Sequence, residues 1–191
     1  MLTGIVGVGL MAGACRKEAA PAPPAPAPAP ASAAAIPTAA GFPRAVSLRL
    51  PTQAQPKLRT IKVWLGTEVM TAELAVTTDQ IIAGLMYRTN LETNAGMLFV
   101  LERLAQPTLW SKNCPLAFSA AYLDPSGTIV ELHDFQPDST NLVACTVSNV
   151  LYVLETGHGW FEQHHIGEGT LVRTEHGSLA ETLARGRGRA R

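Results

Sequence analysis

The segment PTLWSKNCPL at residues 107–116 places a tryptophan, a lysine, an asparagine and a cysteine between two prolines. Cys114 would act as a nucleophile only if a neighbouring base or cation lowered the pKa of its thiol. On an extended strand Lys112 and Cys114 share a face, because side chains alternate, and His133 on the following hairpin could approach them. The segment therefore offers either a reactive thiol or the end of a structural strand.

Two cations, Arg88 and Lys112, lie in otherwise apolar stretches. A cation in such surroundings either pairs with a carboxylate or faces an anionic ligand. The carboxylates considered for a structural ion pair are Glu73, Glu102, Asp124 and Glu131. As ligand-binding candidates we take Arg88, Trp110, Lys112 and Asn113, with a small anionic molecule or an envelope component as the partner. The enzyme alternative uses Arg88, Lys112, Asn113 and Cys114.

The aromatic and histidine residues allow two further interpretations. Trp110 and Trp160 are expected in the core, and the alternative is a platform on which carbohydrate stacks. A group of possible metal ligands comprises His158, Glu162, His164 and His165. The spacing of the first two histidines fits no common zinc motif, so surface histidines are favoured over a metal-binding protein. We therefore predict no cofactor and no metal.

The first fifteen residues, MLTGIVGVGLMAGAC, form a short apolar run that ends in small residues before Cys15. Such a run is typical of a secretory signal and is too short to span a membrane. Its final cysteine is typical of a bacterial lipoprotein, so we predict that Cys15 carries lipid and anchors the chain on the periplasmic face of a membrane. A plain signal peptide on a secreted protein and an apolar N-terminal helix are the alternatives.

The composition divides the rest of the chain. Residues 16–58 are rich in alanine and proline, and their repeat AAPAPPAPAPAPASAAA favours an extended polyproline tether, with a plain disordered extension as the alternative. Residues 59–174 are the only part able to bury a core, and residues 175–191 end in RGRGRAR and are predicted to be a disordered basic tail. Because the net charge is zero, the chain has no overall positive potential to attract nucleic acid, so no nucleic-acid partner is predicted.

Apolar patterning in the globular part predicts many short strands. Alternation or continuous apolar runs predict strands at 60–65, 69–76, 96–101, 108–113, 116–124, 128–135, 142–147, 150–156 and 170–174. The motif DPSG at 124–127 predicts a tight turn, and residues 77–88 have helical spacing behind a threonine cap. One more helical turn is expected within 157–169. The fold class is therefore mainly β, a compact sandwich or jelly-roll-like barrel with one or two short helices.

The cysteine count bears on the redox state. If lipid occupies Cys15, an exported chain retains two cysteines, Cys114 and Cys145. The simplest expectation in an oxidising compartment is a disulfide between them. Two buried free thiols are the alternative, because the geometry must allow the bond.

Five blocks of the globular part resemble domain-of-unknown-function family 192. They are GLMYR (84–88), GMLFV (96–100), LWSKNCPL (109–116), AAYLDPSGTIVEL (120–132) and YVLETGHGWFEQHHIGEGTLV (152–172). The resemblance implies a β-rich sandwich or jelly-roll fold, often exported in bacteria, with no established activity. The chain departs from the family pattern at three positions: the usual Met, Thr and Asp are here Ser111, Cys114 and Ser119. Ser119 is also a ligand-binding candidate, although it lacks the carboxylate of the usual Asp. The leading hypothesis is an envelope-anchored binding or accessory module.

Overall fold

The computed structural model describes residues 50–188. These residues form ten strands: β1 (Thr60–Leu65), β2 (Glu68–Ala75), β3 (Ala95–Ala105), β4 (Thr108–Leu109), β5 (Phe118–Leu123), β6 (Ile129–Phe135), β7 (Val143–Ala144), β8 (Val150–Gly157), β9 (Val172–Thr174) and β10 (Gly177–Ser178). They also form three short helices: α1 (Thr78–Ala83), α2 (Trp160–Gln163) and α3 (Leu179–Gly188). None of the described helices has the length and apolar character needed to cross a membrane.

One mixed sheet of eight strands organises the domain. Its strand order is β10-β9-β1-β2-β3-β8-β5-β6, and every neighbouring pair is antiparallel except β2 and β3. The parallel pair requires a crossover, and α1 lies within it. A second sheet consists only of β4 and β7. The predicted fold class is confirmed: the domain is mainly β and sandwich-like.

Both faces of the large sheet are apolar, because side chains alternate along each strand. The inner layer holds Val63, Leu65, Leu98, Leu123, Leu154 and Trp160. The outer layer holds Leu85, Met97, Phe99, Phe118, Tyr122 and Val153, together with both described cysteines. The predicted alternation in β1 is present, since Val63 and Leu65 are fully buried in one layer and Ile61 packs against it.

The two ends of the large sheet approach one another without closing. The DPSG turn forms as predicted, with the Gly127 N–H donating to the Asp124 carbonyl at 3.0 Å. A single bridge joins Thr128 to Leu171, and the Val172 N–H donates to the Gly127 carbonyl at 2.8 Å. No strand ladder links β6 to β10 within residues 50–188, so the barrel alternative is not formed.

The predicted helix at 77–88 is shorter than its pattern indicates. Thr77 caps it as expected and Gln80 completes a capping box, but the helix ends at Ala83. Gly84 has a φ of 44°, a left-handed conformation that the helix cannot include. Leu85 is nevertheless buried, in the loop that follows the helix.

The C-terminal segment also differs from the prediction of a disordered tail after residue 174. Residues 177–188 form β10 and α3. Leu179 is fully buried in the inner layer, and the hydroxyls of Thr174 and Thr182 are hydrogen-bonded. Tertiary burial of one leucine thus orders a segment whose composition is polar and basic. The predicted signal segment at 1–15 and residues 16–49 of the predicted linker lie outside the described residues.

Close packing between β3 and β8 leaves no room for a side chain at Gly96. A Cβ at Gly96 would lie 2.6 Å from the Glu155 carbonyl oxygen, whereas one at Gly157 would meet nothing within 4 Å. We expect Gly96→Ala to lower the free energy of unfolding by about 1–3 kcal/mol, because backbone must move. Gly157→Ala on the facing strand is the control and should change it by less than about 0.5 kcal/mol. Urea denaturation measures both, and equal stabilities would contradict this packing.

Candidate functional site

A cavity of about 340 Å³ lies between the outer face of the large sheet and the elements that cover it. The sheet contributes Phe99, Leu101, Phe118, Val153 and Glu155 to its wall. The cover contributes the C-terminal half of α1 with the loop after it, and the segment around β4, including Leu85, Leu109, Trp110 and Lys112. The wall is therefore largely apolar and aromatic, which is the usual lining of a small-molecule site.

Glu155 is the one acid in this wall. It lies on β8, and its side chain is 6% exposed. No described residue gives its carboxyl a hydrogen bond or an ion pair. Burial raises the pKa of this carboxyl to about 8, so at neutral pH it is mostly the uncharged acid. A carboxyl on a nearly buried residue that has no protein partner and lines a cavity is uncommon in folded proteins and indicates a functional site.

Cys114 lines the same cavity but lacks an activating group among the described residues. Burial raises the pKa of its thiol. The hydrogen bond of Sγ with the Leu116 carbonyl, at 3.5 Å, lowers that pKa, whereas the nearby carboxylates, of which Glu155 has the larger effect, raise it further. His133, which was expected to approach, instead bonds Glu131 and meets Tyr122 edge-on. Cys114 is therefore a neutral thiol at physiological pH, and the geometry gives the enzyme alternative no support.

Lys112 and Trp110 lie together on the cover. The Lys112 Nζ is 5.2 Å from the centre of the Trp110 ring, a cation–π contact. Asn113 does not line the cavity; it has a φ of 58°, and its carbonyl accepts from the Tyr87 N–H at 2.7 Å. Asn113 thus turns the chain and ties it to the loop after α1. Trp110 is half-buried, so it differs from the core position predicted for it.

Arg88 belongs to a structural ion pair and not to the cavity. Its guanidinium lies 3.0 Å from Glu73 and donates to the Pro56 carbonyl at 3.4 Å. The same Glu73 oxygen accepts from the Leu58 N–H at 2.6 Å, which fixes the chain leading into β1. The ion-pair alternative considered for Arg88 is therefore the one that the structure favours.

Ser119 lies at a separate cavity of about 310 Å³, so Arg88, Lys112 and Ser119 do not converge. Its hydroxyl donates to Asp134, its cross-strand partner, and accepts from the Gly159 N–H at 2.8 Å. Asp134 thus places a carboxylate beside Ser119 from the neighbouring strand. Both contacts of the Ser119 hydroxyl are to groups of the protein itself, one side chain and one backbone N–H.

The predicted disulfide is not present in the structure. Cys114 and Cys145 are both free and buried. The Cys145 Sγ donates to Glu131 at 3.3 Å, whereas Cys114 donates to the Leu116 carbonyl. Burial raises the pKa of Cys145 to about 11, and the buried-thiol alternative describes both residues. Cys15 lies outside the described residues.

The C-terminal histidines do not form a metal centre. No group of three or more histidine, cysteine, aspartate or glutamate side chains in the described part of the chain could hold an ion. The His164 ring stacks on Trp160 with a centroid distance of 4.2 Å, and its Nδ1 bonds the Trp160 carbonyl. Trp160 is 6% exposed, as expected for a core residue.

Sequence reasoning missed Glu155 as a functional candidate. A signal exists, because one acid interrupts the otherwise apolar run VLYVLETG and shares a face with Val153. The absence of a partner for the Glu155 carboxyl could not be predicted, since it depends on which side chains the covering segments place near this carboxyl.

Comparison with known proteins gives a family but no activity. The family model DUF192, described as Uncharacterized ACR, matches residues 61–174. A crystal structure of a Sinorhizobium meliloti 1021 protein, provisionally described as a transcription regulator, is 28% identical with a TM-score of 0.60, over 63% of this chain and 98% of its own. A Novosphingobium aromaticivorans DSM 12444 protein of unknown function is 24% identical with a TM-score of 0.59, over 70% and 99%, which shows the fold alone. No curated protein matches the chain.

The raised pKa of Glu155 predicts a pH-dependent stability. The folded protein holds a proton that the unfolded chain releases above its ordinary pKa of 4.5, so stability falls as the pH rises from 4.5 to about 8. Each pH unit in that window removes about 1.4 kcal/mol from the contribution of this group. We expect Glu155→Gln to raise the melting temperature relative to the wild type at pH 8 and to leave it nearly unchanged at pH 4.5. An equal effect of the substitution at both pH values would contradict the burial of an unpaired carboxyl.

Proposed function

The chain belongs to the DUF192 family, and from that membership and the cavity around Glu155 we propose that its globular domain is a small-molecule-binding module. One observation carries this proposal: Glu155, a residue that is only 6% exposed, lines the cavity, and its carboxyl has no partner among the described residues. Leaving such a group unpaired costs about 1–3 kcal/mol, which is recovered when a ligand supplies the missing contact. A binding role accounts for that arrangement without requiring an activated nucleophile.

The wall limits what the cavity can accept. Its volume of about 340 Å³ suits a molecule of roughly one or two rings. Apolar residues from both the sheet and the cover favour a largely apolar body. Glu155 favours a single polar group on that body, which it can meet as a donor or as an acceptor. The ligand is therefore a compact, mostly apolar molecule with one polar end.

The cover is built from short elements, which favours access. The helix α1 has six residues and β4 and β7 have two each, so few backbone hydrogen bonds hold this side. Regions with little regular structure open more readily than the sheet beneath them. Entry through the cover leaves the eight-stranded sheet intact.

The place of action is the cell envelope. Support comes from the apolar run before Cys15 and from the alanine- and proline-rich residues 16–58, which separate it from the domain at 59–174. A lipid on Cys15 would anchor the chain at the periplasmic face of a bacterial membrane, and the tether would let the domain act as an accessory that captures a small molecule near that surface.

Ligand binding can be tested with 2-phenylethanol, a neutral molecule of the right size. In ¹H–¹⁵N NMR titration we expect the indole N–H signal of Trp110 to shift saturably, because Trp110 lines the cavity. The Trp160 signal reports the inner core on the opposite face of the sheet and should stay in place.

A pair of variants on β3 separates the cavity from the surface. Leu101 lines the cavity, whereas Leu104 is 54% exposed outside it. Leu101→Trp should fill the cavity and reduce the affinity at least about tenfold, and Leu104→Trp should leave it within about twofold. Equal weakening by both variants, or no saturable shift in the wild type with either this alcohol or an amine of the same size, would exclude the cavity as a binding site.

Anchoring has its own test. We expect radiolabelled palmitate to enter the full chain expressed in a bacterial host, and Cys15→Ser to abolish the label. Cys114→Ser is the control and should retain it, because that thiol is buried. Label that survives Cys15→Ser, or no label in the wild type, would contradict a lipid anchor.

A further inference from the structure

We propose that the molecule bound in this cavity is a small amine whose ammonium group pairs with Glu155. The inference rests on the proposed function of the cavity as a binding site and adds the chemical class of the ligand.

The first argument is the charge of the wall. Among the described residues Glu155 is the only acidic one that lines the cavity, and it makes no ion pair with Lys112, although Lys112 lines the same cavity. The Lys112 ammonium lies instead against the Trp110 ring at 5.2 Å. The carboxylate that Glu155 can form is therefore left for a cation from outside the chain. An ammonium ion fits this need, because its charged N–H groups bond a carboxylate about twice as strongly as a neutral donor does.

The second argument is the aromatic lining. Phe99, Phe118 and Trp110 all contribute to the wall. The faces of such rings carry negative charge and attract ammonium ions, most strongly where water is excluded. The contact of Lys112 with Trp110 places one ammonium against this wall already. Rings and a carboxyl together make a site for an organic cation, whereas a neutral ligand would gain nothing from the attraction between the ring faces and a positive charge.

The groups around Glu155 do not compete for this role. The Cys114 thiol and the Tyr122 hydroxyl are close enough to feel its charge, and burial raises the pKa of both, so both are neutral near pH 7. The Tyr122 hydroxyl has no hydrogen-bond partner in the described part of the chain. Lys112 is thus the only other charged side chain among the described residues of the cavity wall, and it contacts Trp110 and makes no ion pair with Glu155.

Binding is an exchange of one cation for another. The carboxylic acid of Glu155 loses its proton to the buffer as the O–H bond breaks, and the carboxylate accepts hydrogen bonds from the ammonium group. Because the pKa of this carboxyl is about 8, most molecules release a proton on binding at pH 7. An alkylammonium group, like that of lysine, stays charged throughout this range.

The test compares two probes of the same size, 2-phenylethylamine and 2-phenylethanol. At pH 8 we expect the wild type to bind the amine at least about tenfold more tightly than the alcohol. Glu155→Gln should remove this preference while holding the alcohol within about twofold. Glu102→Gln, which removes an exposed acid from β3 outside the cavity, should leave the preference unchanged.

A second measurement follows the proton. Calorimetry is carried out in phosphate and in Tris buffer at pH 7. The binding enthalpy of the amine should differ between the two buffers, because the buffer takes up the released proton. The binding enthalpy of the alcohol should be the same in both. The affinity for the amine should rise from pH 6 to pH 8. Equal affinities for amine and alcohol, or an amine preference that persists in Glu155→Gln, would overturn the amine inference and leave the binding module standing. Binding of neither probe would overturn both.

Discussion

The central sheet is apolar on both faces, and the rest of the domain follows from the need to cover each of them. Water must be excluded from two layers of buried side chains, so the chain supplies a cover on each side. The inner layer is closed by the curl of the sheet itself together with α2 and α3. The outer layer is covered by α1, its loop, the two-stranded β4–β7 sheet and the chain segments beside them, and these short elements leave the cavity beside Glu155.

Glu131 binds part of the cover over the outer layer to the sheet. Its carboxylate on β6 accepts from the Thr146 N–H at 2.8 Å, from the Thr146 hydroxyl at 2.5 Å and from Cys145 at 3.3 Å. Burial raises its pKa, but the bonds from Thr146, His133 and Cys145 outweigh that effect and lower it to about 2. Two acids on the outer face of the sheet therefore differ in state: Glu131 is hydrogen-bonded and ionised, whereas Glu155 is unpaired and mostly protonated.

The strands could be predicted because their signals are local. Alternation in β1 and the DPSG turn reflect the pleat and the preferences of proline and glycine, which neighbouring residues suffice to reveal. Features decided by distant contacts could not be predicted. Burial of Leu179 ordered the C-terminal segment, and Glu131 took the Cys145 thiol that the cysteine count had assigned to a disulfide. The candidate site could be predicted in part, because Trp110, Lys112 and Cys114 were identified from the sequence. That the Glu155 carboxyl has no partner depends on the folded structure and could not be predicted.

The pairing of β1 with β9 determines when the domain can fold. Residues Val63–Leu65 are hydrogen-bonded in register with Val172–Thr174, so the first strand waits for nearly the last segment to emerge. Until then β1 has an open edge, and the inner layer lacks Val172 and Leu179. Long-range closure of this kind slows folding relative to a protein of local contacts. During synthesis this pairing can therefore form only after β9 has emerged.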